Sequence, residues 1–344
     1  MSVTRRTLVS APAIGLVGST LAGAALAQAP TAGAPAAPAA GAASGSGPAA
    51  SGGGQGGGQP GFYRYKLGDI EITAVHDGQA PRPLEGLIKN AELADVKKAM
   101  ADAFLPQDVL PITFTPMAIR SGGKTILFDS GNGDVGAPTT GRTRANLAAA
   151  GIDPTKVDIV IISHFHGDHI NGLRLKDGTA VYPNAEIMVP AQEWAFWMDD
   201  SKMAAAPEGM KGAFQGVRRV FGPIAKDVKQ YEWGKEIAPG VTTIDASGHT
   251  PGHTAFGIQS GGKSMIQVID ITNHPRLFAA HPDWAAVFDL DAEKAKATRR
   301  RMLDMAATER TQLAFYHAPF PATGHVRREG QGYEFVPEQW MSAG

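Results

Sequence analysis

The chain has 344 residues, and its 32 Lys and Arg residues nearly balance its 33 Asp and Glu residues, giving a formal net charge of −1. The near-zero net charge argues against nucleic acid as a partner and against a patch for lipid headgroups. The sequence contains no cysteine, which excludes disulfides, thiolate zinc ligands and a cysteine nucleophile. Hydrophobic residues make up 43% of the chain, a share typical of a folded globular protein.

Residues 1–27 have the pattern of an export signal. Arg5 and Arg6 precede an uncharged apolar stretch, and residues 25–27 (Ala-Leu-Ala) form a small-x-small cleavage site. The arginine pair resembles that of twin-arginine signals, so we expect export to the bacterial periplasm by that route and no stable membrane insertion after cleavage. An uncleaved membrane anchor is the alternative, which Pro12 and several glycines disfavour.

Residues 28–61 form a segment of very simple composition, with only Ala, Gly, Pro, Ser, Thr and Gln. Such a segment buries too little apolar surface to offset the entropy lost on ordering, so we expect a disordered linker. The remaining residues, 62–344, are numerous enough to form one large domain with a single core.

The rest of the chain alternates between patterns typical of strands and of helices. Alternating apolar residues predict a strand over 67–75, and apolar residues at helical spacing predict a helix over 91–104. The further predicted elements are a strand at 124–129, a helix at 142–150, strands at 157–162 and 185–189, a helix at 191–200, strands at 241–246, 254–259 and 264–269, a helix at 292–310 and a strand at 312–316. Short glycine turns join several strands, which favours an α+β fold of packed sheets with helices outside them.

The clearest chemical signal is the run Ser-His-Phe-His-Gly-Asp-His at 163–169, which follows a predicted buried strand. Residues two apart point the same way at the end of an extended strand, so His164 and His166 can bind one ion. The turn that follows directs Asp168 and His169 to a second position. Imidazole nitrogens with carboxylate oxygens suit Zn²⁺, and also Fe, Mn or Co. A histidine-rich surface loop is the alternative.

This run matches the HxHxDH signature of the metallo-β-lactamase fold superfamily, and three later motifs follow in the order of that family. They are Ser-Gly-His-Thr-Pro-Gly-His-Thr at 247–254, Asp270 at the end of one predicted strand, and His317 at the end of another. The resemblance extends from about residue 62 to the C terminus. It implies a four-layer αβ/βα sandwich with metals at one edge.

The resemblance also implies two metal ions, expected to be Zn²⁺, and a specific ligand set. The implied ligands are His164, His166 and His249 for one metal, Asp168, His169 and His317 for the other, and Asp270 as the bridge. Asp270 and Asp168 are also the expected catalytic carboxylates. Two cations about 3.5–4 Å apart need an anionic bridge, and a hydroxide shared between them is a nucleophile near neutral pH.

Two further polar residues are expected to support the ligands. The resemblance places Asp129 where a carboxylate orients a ligand histidine, and a turn-capping aspartate is the alternative. His253 is expected to be a hydrogen-bonded neighbour of the site, because His249 already fills the ligand position of that motif.

The C-terminal run at 324–337 resembles that of methyl parathion hydrolase and its lactonase-like relatives. In that group aromatic side chains surround the leaving group. Trp197 matches one of them and is expected to contact substrate, whereas Gly136 and Ala213 stand at the other two positions, which disfavours efficient phosphotriester hydrolysis. Asn273 is a candidate donor to a substrate carbonyl. Core packing of the tryptophan and a solvated loop position of the asparagine are the alternatives.

These resemblances imply a dinuclear zinc hydrolase that cleaves small esters or lactones, and organophosphate triesters as a further class, with the bridging hydroxide as nucleophile. The expected partner is a small-molecule substrate, and relatives of this kind are commonly homodimers. A β-lactam hydrolase is an alternative, although that branch generally lacks the bridging aspartate. A mononuclear iron oxidoreductase of the persulfide dioxygenase type and a non-catalytic binding module are the others.

Overall fold

The computed structural model describes residues 60–341. The export signal expected at 1–27 and residues 28–59 of the expected linker lie outside the described residues. Among the helices of the described range, none combines the length and apolar character that crossing a bilayer requires.

Strands contribute most of the ordered elements. Within residues 60–341 they are β1 (Phe62–Leu67), β2 (Ile70–Val75), β3 (Gly78–Pro83), β4 (Val109–Phe114), β5 (Met117–Ser121), β6 (Lys124–Phe128), β7 (Ile159–Ile161), β8 (Glu186–Pro190), β9 (Lys229–Tyr231), β10 (Glu236–Ala238), β11 (Val241–Asp245), β12 (Thr254–Ser260), β13 (Lys263–Ile269), β14 (Gln312–Phe315), β15 (Thr323–Glu329) and β16 (Gly332–Pro337). The α-helices are α1 (Leu93–Asp102), α2 (Thr143–Ala149), α3 (Gly167–Ile170), α4 (Ala191–Trp197), α5 (Asp200–Ala205), α6 (Glu208–Phe221) and α7 (Ala292–Glu309).

The strands form two seven-stranded sheets with the orders β1-β2-β5-β6-β7-β8-β9 and β10-β11-β12-β13-β14-β15-β16, while β3 and β4 form a separate hairpin. In the first sheet β6 to β9 run parallel, and in the second β13 and β14 are parallel. The sheets pack face to face, as the 5.0 Å distance between the ring centroids of Phe128 and Phe256 shows. The predicted α+β sandwich is confirmed.

Helices cover the outer face of each sheet and complete four layers. Buried side chains of α6, among them Phe214 and Phe221, pack on the outer face of the first sheet. Met302 and Leu303 of α7 do the same on the second sheet. Each helix thus buries one apolar face, which is the usual solution for a helix on a sheet.

Two predicted elements are divided in the structure. The strand expected at 67–75 is broken by a turn at Gly68, whose φ of 58° suits glycine, so that β1 and β2 form a hairpin. The helix expected at 191–200 ends at Trp197, because Asp199 caps the next helix by accepting from the amides of Ser201 and Lys202. Helix α6 was not predicted at all.

Candidate metal centre

The centre lies at the edge where strands of both sheets end. The segments that carry its side chains are Asp129 after β6, 163–169 after β7, 247–254 after β11, Asp270 after β13 and His317 after β14. Asp129 and Ile269 have φ values of 58° and 52°, which are uncommon for residues other than glycine. These left-handed residues turn the chain sharply out of β6 and β13 at the site.

The four side chains expected at the first metal position converge in the structure. The Nδ1 atom of His166 lies 3.1 Å from Nε2 of His164 and 2.9 Å from Nε2 of His249. Asp270 Oδ2 lies 3.3 Å from Nε2 of His249 and 3.9 Å from Nε2 of His164. One donor atom from each residue fits within 4.8 Å of all the others, which is a spacing that one ion can span.

The second group adjoins the first. Asp168 Oδ2 lies 3.2 Å from Nε2 of His169 and 3.5 Å from Nε2 of His317. Asp270 reaches this group too, with Oδ1 3.5 Å from His169 Nε2 and Oδ2 3.0 Å from His317 Nε2. The carboxylate of Asp270 therefore stands between both groups, at the position that the sequence assigned to the bridge.

The residues present fit a pair of divalent metals. Among the described residues, the buried Nε2 of His169 and Oδ1 of Asp270 have no hydrogen-bond partner. Buried polar atoms without partners are rare, and one explanation is an ion that they bind. Nitrogen and carboxylate donors of this kind suit Zn²⁺ and neighbouring transition metals. All seven predicted ligands meet here, and their binding of metal stays a prediction.

A buried carboxylate holds one ligand ring in place, as the sequence predicted. Asp129 Oδ2 lies 2.8 Å from Nδ1 of His169, and the same carboxylate accepts from the backbone amide and the hydroxyl of Ser163 at 2.8 Å. These contacts direct Nε2 of His169 towards the metal position. A carboxylate behind a ligand histidine also raises the basicity of that ligand.

Sequence reasoning missed other supports of the same kind. Asp289 Oδ1 lies 2.9 Å from Nδ1 of His249, and the carbonyl of Thr113 lies 2.7 Å from Nδ1 of His317. Asp289 stands just before α7 without any motif around it, so its sequence position resembles that of an ordinary helix-capping residue. Only the folded chain brings it to the centre.

His253 lies beside the site as a hydrogen-bonded neighbour, where it was expected. Its Nδ1 lies 2.8 Å from the carbonyl of Ala246, and its Nε2 accepts from the backbone amide of Asp270 at 3.2 Å. Both ring nitrogens are thereby occupied, and neither is free to bind a metal. His253 instead fixes the backbone of the bridging residue.

The surroundings of the four histidines shift their pKa values in opposite directions. Burial lowers the pKa of His164 well below its ordinary value and, helped by the charge of His249, lowers the pKa of His166 to about 3. Burial also disfavours charge on His249 and His169. For His249, hydrogen bonds to carboxylates outweigh that effect and raise the pKa to about 9. Nearby carboxylates likewise raise the pKa of His169 well above its usual value.

Access to the ligands is narrow. The Asp168 side chain is 23% exposed, and His166 is partly exposed. The remaining ligands are buried. A substrate would therefore approach over Asp168 and His166, beside the exposed Gly167 at the start of α3.

The structure corrects the expected substrate contact of Trp197. Its side chain is 1% exposed, its ring packs 4.7 Å from that of Phe214, and its Nε1 donates to Glu193 Oε2 at 2.8 Å. The indole thus lies behind His166, 6.4 Å between ring centroids, and offers almost no surface to a substrate. The aromatic neighbour on α6 is Phe214, whereas the adjacent Ala213 is exposed.

Asn273 is buried and lies beside the bridge. Its Nδ2 donates to Asp270 Oδ2 at 3.4 Å, and its Oδ1 has no hydrogen-bond partner within the described part of the chain. The solvated loop position considered for this residue is therefore wrong. Its contact with substrate stays a prediction.

Comparison with known proteins bears on the family and on the fold. Ribonuclease Z of Methanothermobacter thermautotrophicus is 42% identical over 59 residues, which are 17% of this chain and only 16% of that protein. Among solved structures, the hydrolase AbOPH of the beta-lactamase superfamily is 29% identical, with a TM-score of 0.77, over 82% of this chain and 99% of its own. The dizinc quorum-quenching lactonase AidC is 27% identical, with a TM-score of 0.78 and the same coverage.

The family itself follows from a match over more than half of the chain. The family model of the metallo-beta-lactamase superfamily matches residues 116–327, which include every ligand segment described above. Together with the sandwich of two sheets and the histidine and aspartate cluster at its edge, this match shows that the chain belongs to the metallo-beta-lactamase superfamily.

Proposed function

We propose that this protein is a dinuclear zinc hydrolase of small esters or lactones, with organophosphate triesters as a further substrate class. The observation that carries the proposal is the position of Asp270, whose two oxygens face both ligand groups. The likeness to AidC, a dizinc lactonase, and to the hydrolase AbOPH supports this choice. Closeness to methyl parathion hydrolase stays a prediction.

The side chains of the centre have distinct tasks in such a reaction. When bound, two divalent cations supply an activated water and polarise the bond that is cleaved. Asp270 holds the two ligand groups at one spacing, while Asp129 and Asp289 hold the rings of His169 and His249. These contacts place the donors before substrate arrives, so that little reorganisation is needed during the reaction.

Asp168 is the carboxylate that reaches solvent, since 23% of its side chain is exposed. Charges of His169 and His317 outweigh its burial and hold the pKa of Asp168 below its ordinary value, so it is ionised at neutral pH. Its ionised oxygens can accept a hydrogen bond from the attacking water and so orient it towards the substrate. The burial of the other carboxylates leaves this task to Asp168.

A nuclease is not proposed. The match to ribonuclease Z covers only 16% of that protein. The net charge of −1 also provides no general attraction for a polyanion.

The test is a substrate panel on purified protein of measured metal content. The panel holds N-acyl homoserine lactones, aryl acetates, a phosphotriester and the β-lactam nitrocefin, with Asp270→Asn as the inactive control. We expect turnover of a lactone or an aryl ester by protein with two zinc ions per chain. Turnover of nitrocefin alone would favour the β-lactam hydrolase, and one iron per chain with oxygen consumption would favour the oxidoreductase.

We further propose that the protein acts in the periplasm on a small molecule, as a homodimer. The arginine pair and cleavage site at the N terminus support export. Fractionation of cells that make the full chain, compared with a variant carrying Arg5→Lys and Arg6→Lys, tests the route. Light scattering of the purified protein tests the dimer.

A further inference from the structure

Glu193 is a buried carboxylate that the reaction described above does not use. It lies on α4, is fully buried, and among the described residues its hydrogen-bond partners are all uncharged N–H groups. Its Oε2 accepts from the backbone amide of Phe165 at 3.0 Å and from Nε1 of Trp197 at 2.8 Å. Its Oε1 accepts from the backbone amide of Gly252 at 2.6 Å.

The two backbone partners of Glu193 belong to the two loops that form the first metal position. Phe165 stands between His164 and His166, and Gly252 lies three residues after His249 in the loop that joins β11 to β12. One carboxylate therefore connects the loop that carries two ligands with the loop that carries the third.

The close approach of α4 to the second loop is a separate observation. A Cβ atom at residue 252 would lie 2.5 Å from the backbone nitrogen of Glu193 and 2.9 Å from its Cγ. Contacts this short are not tolerated. Residue 252 of the loop must therefore be glycine, because the first turn of α4 leaves no room for a side chain there. The helix is thus seated directly on the loop, and the distance between the loops depends on it.

An ionised Glu193 costs free energy that a neutral side chain at the same place would not cost. Burial without a cationic partner disfavours an ionised carboxylate and raises its pKa, even though three donors surround it. Charge-assisted hydrogen bonds are about twice as strong as neutral ones and hold their partners more firmly. A carboxylate here is well suited to hold two loops at the spacing that an ion requires.

We propose that Glu193 is a positioning residue that sets the spacing between His164 and His166 on one side and His249 on the other, and so selectively strengthens metal binding at the position they form. The proposal rests on the two-metal centre of the proposed function. The second position, built from Asp168, His169 and His317, does not depend on this connection in the same way, because its residues lie in α3 and after β14.

The test measures the two zinc affinities of the full chain separately. Zn²⁺ is titrated against a competing chelator, and Co²⁺ absorption follows the geometry of each position. The variants His249→Ala and His317→Ala assign the two binding phases. Glu193→Gln is the test variant, since an amide cannot accept from all three donors. Glu232→Gln is the matched control, because Glu232 is exposed and contacts the same helix through Gln192 at 2.8 Å.

We expect Glu193→Gln to weaken the phase that His249→Ala abolishes by about tenfold or more, the range seen when outer partners of metal ligands are removed. The phase assigned by His317→Ala should change less than threefold, and Glu232→Gln should change neither. Equal weakening of both phases, or none, would overturn the proposal, since a residue that only stabilises the fold has no preference between them.

A second variant keeps the proposal testable should Glu193→Gln fail to fold. Trp197→Phe removes one of the three donors and keeps the aromatic packing, so it should weaken the same phase selectively but less. If the wild-type protein binds a single metal, the two-metal function is wrong. The positioning role of Glu193 is then still supported if Glu193→Gln lowers that one zinc affinity tenfold, and it is refuted if the affinity does not change.

Discussion

A buried arginine on α7 offers a quantitative test of how the centre is held. Arg299 is 1% exposed. Its Nε donates to the carbonyl of Ile271 at 2.6 Å, and its Nη1 donates to the carbonyls of Pro282 and Trp284 at 2.9 Å and 2.7 Å. Its Nη2 contacts Asp289 Oδ2 at 3.4 Å, and Asp289 in turn holds His249. Arg299 thus connects the backbone that follows Asp270 with Asp289, the carboxylate that orients His249.

Arg299→Met removes every one of these donors while it keeps the apolar length of the side chain. Two buried carbonyls and the half-buried carbonyl of Trp284 lose a partner, and the carboxylate of Asp289 keeps only His249 as a cationic neighbour. Each buried acceptor that is left without its donor costs about 1–3 kcal/mol, so these losses together amount to about 3–5 kcal/mol. We therefore expect the free energy of unfolding of the metal-free protein to fall by about this amount.

Urea unfolding of chelator-treated protein at neutral pH measures the loss. Arg300→Met is the matched control, because Arg300 is the next residue on the helix and pairs with Asp283 at the surface. Surface pairs contribute about 0–1 kcal/mol, so the control should lose no more than that. Equal and small losses in the two variants would refute the assigned role of Arg299.

Three further predictions concern the centre itself. Asp270→Ala should lower metal content and activity together, because the bridging charge is lost; elemental analysis beside turnover measures both, and two retained metals with full activity would contradict the bridge. Trp197→Ala should lower the free energy of unfolding by about 3–5 kcal/mol through a cavity and reduce activity on all substrates alike, whereas altered substrate preference at unchanged stability would restore the predicted substrate contact. Zinc binding at pH 7 should release the proton of His249, whose pKa is about 9 in the metal-free centre, so that affinity rises with pH up to about 9; calorimetry in buffers of different ionisation enthalpy counts the protons, and none released would refute this.

The α+β architecture and the candidate ligand residues could be predicted because both leave local patterns in the sequence, while the four layers and the ligand assignment followed from the resemblance to the superfamily. The apolar runs at β6, β7 and β13 are short, and each is followed directly by Asp129, the 163–169 cluster or Asp270. A buried strand followed by metal-ligating residues is visible within a window of about ten residues. The order of such windows along the chain then identified the superfamily.

The supports of the centre could not be predicted in the same way. Asp289 is 40 positions from the His249 that it orients, and Thr113 is 204 positions from His317. Neither pair has a periodicity or spacing that a sequence pattern records. The contacts of Glu193 could not be predicted either, since a glutamate in the first turn of a helix is common and indicates no particular partner.

Helix α6 was missed for a related reason. Gly212 and Gly216 lower its intrinsic propensity, since glycine costs about 1 kcal/mol relative to alanine in a helix. Packing of Phe214 and Phe221 on the first sheet outweighs that cost. The same packing explains why the expected substrate contact of Trp197 was wrong. Phe214 covers the face of the indole that was expected to contact substrate.

The carboxylates that support the ligand rings also affect the balance of charge within the centre. Asp270 and Asp168 remain ionised at neutral pH, and the raised pKa values of His169 and His249 place protons beside them. Divalent cations at the two positions would displace those protons, so Asp129 and Asp289 influence metal affinity through the basicity of the rings that they hold. Replacement of either support would leave every motif residue in place and still weaken the centre. Two chains with the same motifs can therefore differ widely in metal affinity.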